Sequence, residues 1–128
     1  RSHHRVPRPL LNVDGLEEMG DPLYTIAFRS TDETLDVYRV MDAMGRRGWS
    51  LNGLHRPACV HICVTLRHTQ PELPERFAAD LAAAVAEVRA APDAPGGLAP
   101  IYGLAATVPD RTIVTDFLRS YMDRWYVP

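Results

Sequence analysis

From Cys59 onward the chain alternates: Val60, Ile62, Val64 and Leu66 fall between Cys59, His61, Cys63 and Thr65. A period of two sends the two sets to opposite faces of an extended backbone, so the pattern predicts a strand over 60–68 with one strongly apolar face. A companion strand is predicted over 49–54, with Arg56-Pro57-Ala58 between them. Upstream, two short extended segments, 15–19 and 23–28, flank Gly20-Asp21-Pro22, whose turn chemistry predicts an antiparallel hairpin. Elsewhere the period changes to that of a helix. Leu35, Tyr38, Met41 and Met44 repeat at helical spacing, Ser30 with Glu33 fits a capping box ahead of them, and Gly48 supplies the stop. Arg46 and Arg47 then sit at the negative end of the helix dipole. A second helix begins at Thr69-Gln70-Pro71-Glu72 and carries Phe77, Leu81, Ala84, Val85 and Val88 on one face as far as Pro92. The segment 92–103, with Pro92, Pro95, Gly96, Gly97, Pro100 and Gly103, is expected to be an irregular connection. Pro109 opens a last helix with a wide apolar stripe of Ile113, Val114, Phe117, Leu118, Tyr121 and Trp125.

The order ββαββα, loop, α predicts an α+β fold: a two-layer sandwich of a short antiparallel sheet with helices on one face. Residues 1–12, with Pro7 and Pro9 among arginines, read as a tail or linker, and 13–128 as one domain, a size that buries a single core. The expected apposition of the last helix is against its own sheet.

Composition narrows the function. A net charge of -2 argues against a broad nucleic-acid surface, and no apolar run reaches the roughly 20 residues of a membrane span. All fourteen basic side chains are arginine, so the chain offers no lysine amine for imine chemistry or proton transfer. Arginine without lysine, beside heavy alanine use, suggests GC-rich coding and a bacterial source. On one strand Cys59 and Cys63 stand ~13 Å apart, beyond disulfide reach, and are expected as free thiols of a reducing, cytoplasmic compartment.

Cys59, His61 and Cys63, with His55 and His68 nearby, have the ligand types of a zinc site, but successive same-face positions on a strand lie ~7 Å apart and the outer two cannot share an ion. A packed or docked sheet face is the preferred reading, and no metal is expected. A Cys-His nucleophile lacks a third group. Gly96-Gly97 follows a helix and lacks the Gly-Lys-Ser/Thr ending of a phosphate loop.

Residues at matching spacing carry a resemblance further. Val40-Met41-Asp42, then Gly48-Trp49-Ser50-Leu51-Asn52-Gly53-Leu54, then Val60-His61-Ile62-Cys63-Val64-Thr65-Leu66-Arg67-His68-Thr69, and later Ala99-Pro100-Ile101-Tyr102-Gly103-Leu104-Ala105 with Asp110-Arg111, are similar to the motifs of the sphingosine-1-phosphate lyase type within the group II decarboxylase family. The resemblance covers residues 16–126. It implies the C-terminal small domain of a type I pyridoxal-phosphate enzyme, whose cofactor is held by a lysine in a large domain this chain lacks. It further implies a homodimer when complete, and retro-aldol cleavage of a phosphorylated long-chain amino alcohol. No catalytic or cofactor-binding residue is expected in this chain. Tyr102 lies in the motif that the family carries on a loop approaching the substrate, which makes it the candidate substrate-binding residue, beside the reading of a packed loop tyrosine. His61, on a strand, points to domain docking. Two rival functions stay open: an amino-acid decarboxylase domain of the same fold, and a free-standing non-catalytic interaction module.

Overall fold

The computed structural model describes residues 12–20 and 24–126. Four strands, β1 (Leu16–Met19), β2 (Thr25–Ser30), β3 (Asn52–His55) and β4 (Ala58–Cys63), form one antiparallel sheet in the order β1-β2-β4-β3. The register sets Phe28 opposite both Glu18 and Val60, and Gly53 opposite Val60. Side chains two apart share a face, so Phe28, Val60 and Ile62 make one apolar surface. Helices α1 (Val37–Arg46) and α2 (Leu73–Ala90) pack with that surface into a core that includes Val40, Met44, Leu81 and Ala84. The α+β architecture expected from the pattern is the one observed. Residues 1–11 of the expected tail, Asp21-Pro22 of the hairpin turn and Leu23 at the head of the second extended segment lie outside the described residues.

Local chemistry moved several boundaries. The capping box expected at Ser30 and Glu33 does not form. Ser30 ends β2, where its hydroxyl accepts from the Asp32 amide at 3.1 Å, and α1 is capped instead by Asp36, whose carboxylate accepts from the Tyr38 N–H at 2.9 Å. Strand β4 stops at Cys63 and does not run to His68. Thr65 and His68 exchange cap bonds around a short 3-10 helix, Leu66–Thr69, with the His68 Nδ1 accepting from the Thr65 N–H at 2.9 Å. Side-chain capping thus overrides the continuing alternation, and Leu66 ends up 88% exposed. Helix α2 starts at Leu73, four residues later than Thr69, with Pro74 in its first turn. Its buried residues are the five that the periodicity singled out.

Two ion-pair groups tie α2 to the rest. The Glu87 carboxylate receives Arg46 and Arg47, each at 2.6 Å, which fastens the end of α1 to α2. Two residues further along α2, Arg89 meets Asp32, just past the end of β2, at 2.7 Å. The Asp32 carboxyl is held down at about 2 from its ordinary 3.8, first by the Thr34 hydroxyl, then by Arg89 and the Thr34 amide. Because the folded value lies below the unfolded one, this group stabilises the fold above pH ~4, and the contribution disappears as pH falls from about 4 to about 2. Thermal melts of Asp32→Asn and the parent chain should therefore converge across that window. Parallel curves down to pH 2 would show that Asp32 is not responsible.

Candidate functional site

The segment expected to be an irregular connection contains a helix, α3 (Ala99–Thr107). Tyr102 accordingly lies on a helix and not on a loop. The physical reason is a cap supplied from far away in sequence. Asp42, on α1, accepts the Leu98 N–H on Oδ1 at 3.0 Å and the Ala99 N–H on Oδ2 at 2.9 Å, satisfying amides that a helix start leaves without partners. A carboxylate there also faces the positive end of the helix dipole. Pro100 needs no amide partner in the first turn. Gly97 makes the close approach possible: it has φ +76, and a Cβ there would run into the Asp42 carboxylate.

So positioned, α3 lays the Tyr102 ring across β3. An added Cβ on Gly53 would fall 2.8 Å from the ring, so only glycine in the Asn52-Gly53-Leu54 run leaves room for it. On its other side Tyr102 stacks on Tyr38, with ring centroids 5.4 Å apart and planes 22° from parallel. The two phenols differ. Tyr38 is buried and donates its hydroxyl to the Leu54 carbonyl at 2.5 Å, and burial first, then Cys59, pushes its pKa up. Tyr102 is half-buried, and its hydroxyl has no partner among the described residues. Stacked but unpartnered, that hydroxyl is available to donate to a ligand oxygen.

The cysteine and histidine face separates. Cys59 is buried and its thiol is pushed up by desolvation, which keeps it protonated and unreactive, while Cys63 is exposed; both are free. The Nδ1 of His61 is buried without a hydrogen-bond partner. Among the described residues no group of three His, Cys, Asp or Glu side chains is gathered closely enough to hold a metal ion. His68 leaves this face altogether, its Nδ1 being spent on the Thr65 amide.

Trp49, in the Gly48-Trp49 motif, is a core residue. Its indole N–H donates to Asp80 at 2.7 Å, its ring meets Phe77 edge-on at 4.8 Å, and Arg76 lies over it at 5.7 Å. Beside it opens a groove of about 590 Å³, lined among others by Ser50, Asn52, Thr65, Arg67, His68 and Arg76, and an apolar cavity of about 140 Å³ under Ile26, Ile62 and Val64. Arg67 and Arg76 line one groove because β4 stops at Cys63 and the chain turns, where the alternation predicts strand as far as His68.

The last helix, α4 (Arg111–Trp125), is capped by Asp110, which accepts the Thr112 N–H at 2.9 Å. Its apolar stripe does not pack on the sheet as expected. Phe117 is 68% and Trp125 70% exposed, and Val114 alone in this helix is even half-buried.

An open four-stranded antiparallel sheet backed by helices, with a helix-borne tyrosine resting on its edge strand, defines a small α+β domain that leaves much apolar surface uncovered. Comparison with known proteins says what such a domain comes from. The chain is 43% identical over 124 residues to the sphingosine-1-phosphate lyase of Arabidopsis thaliana, and 41% over 120 residues to that of Oryza sativa. These alignments take in 95% and 93% of the chain but 22% of each relative. In solved structures, the sphingosine-1-phosphate lyase of Burkholderia pseudomallei superposes over 93% of this chain and 22% of its own, with a TM-score of 0.67 and 29% identity. No protein-family model matches. The resemblance carried by the motifs is thus shown in sequence and in fold: the chain is related to sphingosine-1-phosphate lyases and spans about a fifth of their length, consistent with a C-terminal piece. Plant and bacterial relatives both match, so the bacterial source inferred from composition is not supported. Among the described residues no helix is long and apolar enough to cross a membrane.

Proposed function

We propose that residues 13–128 are the C-terminal small domain of a pyridoxal-phosphate-dependent carbon-carbon lyase that cleaves phosphorylated long-chain amino alcohols, and that the isolated chain is inactive. The observation that carries this reading is the likeness of nearly the whole chain to lyases about four-fifths of which lies outside it. In the complete enzyme, the partner of this domain is a large cofactor-binding domain of the same polypeptide, in a cytoplasmic homodimer.

The residues of this chain do not fit the cofactor. Holding an aldehyde covalently takes a primary amine, and no side chain here carries one: the cationic residues are arginines and the chain has no lysine. No step through the cofactor is therefore assigned to these residues. Their contribution is to substrate binding. Tyr102 is held by Gly53 and Tyr38, and its hydroxyl has no partner among the described residues, which suits donation to the phosphate or the reacting hydroxyl of the substrate.

The test uses the complete protein supplied with pyridoxal phosphate. A phosphorylated long-chain base should yield a long-chain aldehyde and phosphoethanolamine, with no carbon dioxide from glutamate or tyrosine. Carbon dioxide without aldehyde would assign the decarboxylase reaction instead. In the active enzyme, Tyr102→Phe should remove one hydrogen bond to a charged group, about 1.5 to 3 kcal/mol, seen as roughly a ten- to hundredfold loss in turnover or substrate affinity. Unchanged kinetic constants would leave Tyr102 a purely structural residue.

A further inference from the structure

We infer that the apolar half of α4 is the surface by which this domain docks onto the rest of its own polypeptide, and that what it meets there is a pair of helices or a groove, not a second copy of this chain. The inference rests on the proposed function in one respect only, namely that a large domain exists for α4 to meet.

At 100° per residue, Ile113, Val114, Phe117, Leu118, Tyr121, Met122 and Trp125 fall within about 180° of arc, with Arg111 and Arg124 about 20° inside its two edges. Thr112, Thr115, Asp116, Arg119, Ser120 and Asp123 occupy the other half. Phe117, Tyr121 and Trp125 are all more than half exposed, and the rings of Tyr121 and Trp125 rest on each other at 6.0 Å. Six large apolar side chains standing together on one helix exceed what a solvated surface normally leaves bare.

The width of the arc selects the occupant. Two copies of one helix pressed together share a seam of roughly 100°, which would leave nearly half of this surface in water. Covering 180° takes contacts on two sides. The domain's own sheet does not supply them, because α4 is fixed at its base, where Arg56 donates to the Val108 carbonyl at 2.8 Å and Asp110 caps the helix, and from there it projects without burying its stripe. The matching relatives do supply enough chain. An alignment over 95% of this chain cannot leave out the 15 residues of α4, while 22% coverage of the relative puts most of its length outside. The stripe consists of two rows spaced by four residues, Ile113-Phe117-Tyr121-Trp125 and Val114-Leu118-Met122, a ridge spacing that crosses a partner helix at about −50°.

Thiol labelling in the complete polypeptide tests this, in a Cys63→Ser background so that the exposed native thiol is silent. Leu118→Cys, on the apolar half, should react on the order of 100-fold more slowly than Asp116→Cys on the polar half, at any protein concentration. Met122→Cys, a gentler change, should behave as Leu118→Cys does and stands in for it if that variant does not fold. Equal rates at the two positions would overturn the proposal. Protection that grows with protein concentration would assign the surface to a second copy, and would overturn it too. Lyase activity measured on the same samples is a separate readout: protection without activity removes the proposed reaction and keeps the docking surface, and activity without protection does the reverse.

Discussion

Replacing Phe28 by alanine should cost the fold about 3 to 5 kcal/mol, a large share of the roughly 5 to 15 kcal/mol by which a domain is stable. Phe28 is 1% exposed, on the central strand β2, paired through Val60 to β4 and through Glu18 to β1. The helices α1 and α2 close over it with Met44 and Leu81, which are also fully buried, so the space left by the ring is walled on all sides by side chains that are themselves close-packed. Collapse into that cavity is limited. The cost is then the lost transfer energy of the ring plus the unfilled volume, and urea titration should show the midpoint falling steeply with little change of slope. Phe28→Leu should fall between the two. A loss below about 1 kcal/mol for Phe28→Ala would mean that the sheet and helices can close the gap, and that the core is less tightly determined than the burial implies.

Asp42→Ala should be the next most damaging change, at about 2 to 4 kcal/mol. Two amides lose a charged acceptor, each bond to an ionised group being worth about 1.5 to 3 kcal/mol, with some compensation from water because the site is only partly buried. The loss should be local. Amide exchange ought to accelerate throughout α3 while β2 and β4 keep their protection, and Asp42→Asn, which keeps one acceptor oxygen, should show a smaller change. Gly97→Ala tests the same contact from the other side, since its Cβ would collide with the carboxylate. Uniform acceleration in helix and sheet alike would deny α3 any separate dependence on Asp42.

These two residues mark what the sequence made legible and what it did not. The surroundings of Phe28 were readable because they are local patterns: the strand alternation around Val60 and Ile62, and the helical spacing of Phe77, Leu81, Ala84, Val85 and Val88, recur as buried sets. The surroundings of Asp42 were not readable. Its partners lie more than fifty residues away, in a segment whose prolines and glycines argue locally for irregular chain, so the helix that carries Tyr102 has no signature of its own. Likewise the Thr65 and His68 capping exchange interrupts an alternation that continues on paper through Leu66. For α4 the period picks out an apolar stripe, but a period cannot say what covers a face, and the expected packing on the sheet is not observed. The pairing of Tyr102 with Gly53 was present only as two separate motif matches, and geometry alone joins them.

The placement of the two tryptophans has a practical consequence. Trp49 is 9% exposed, wedged between Phe77 and the Asp80 carboxylate, whereas Trp125 stands 70% exposed at the far end of α4. Their indole fluorescence therefore comes from two unlike environments, one dry and fixed, the other wet. Unfolding of the core moves the emission of the first to the red, and anything that settles on α4 moves that of the second to the blue. A single optical scan thus reads the integrity of the domain and the occupancy of its outer helix as opposite displacements, without an added label.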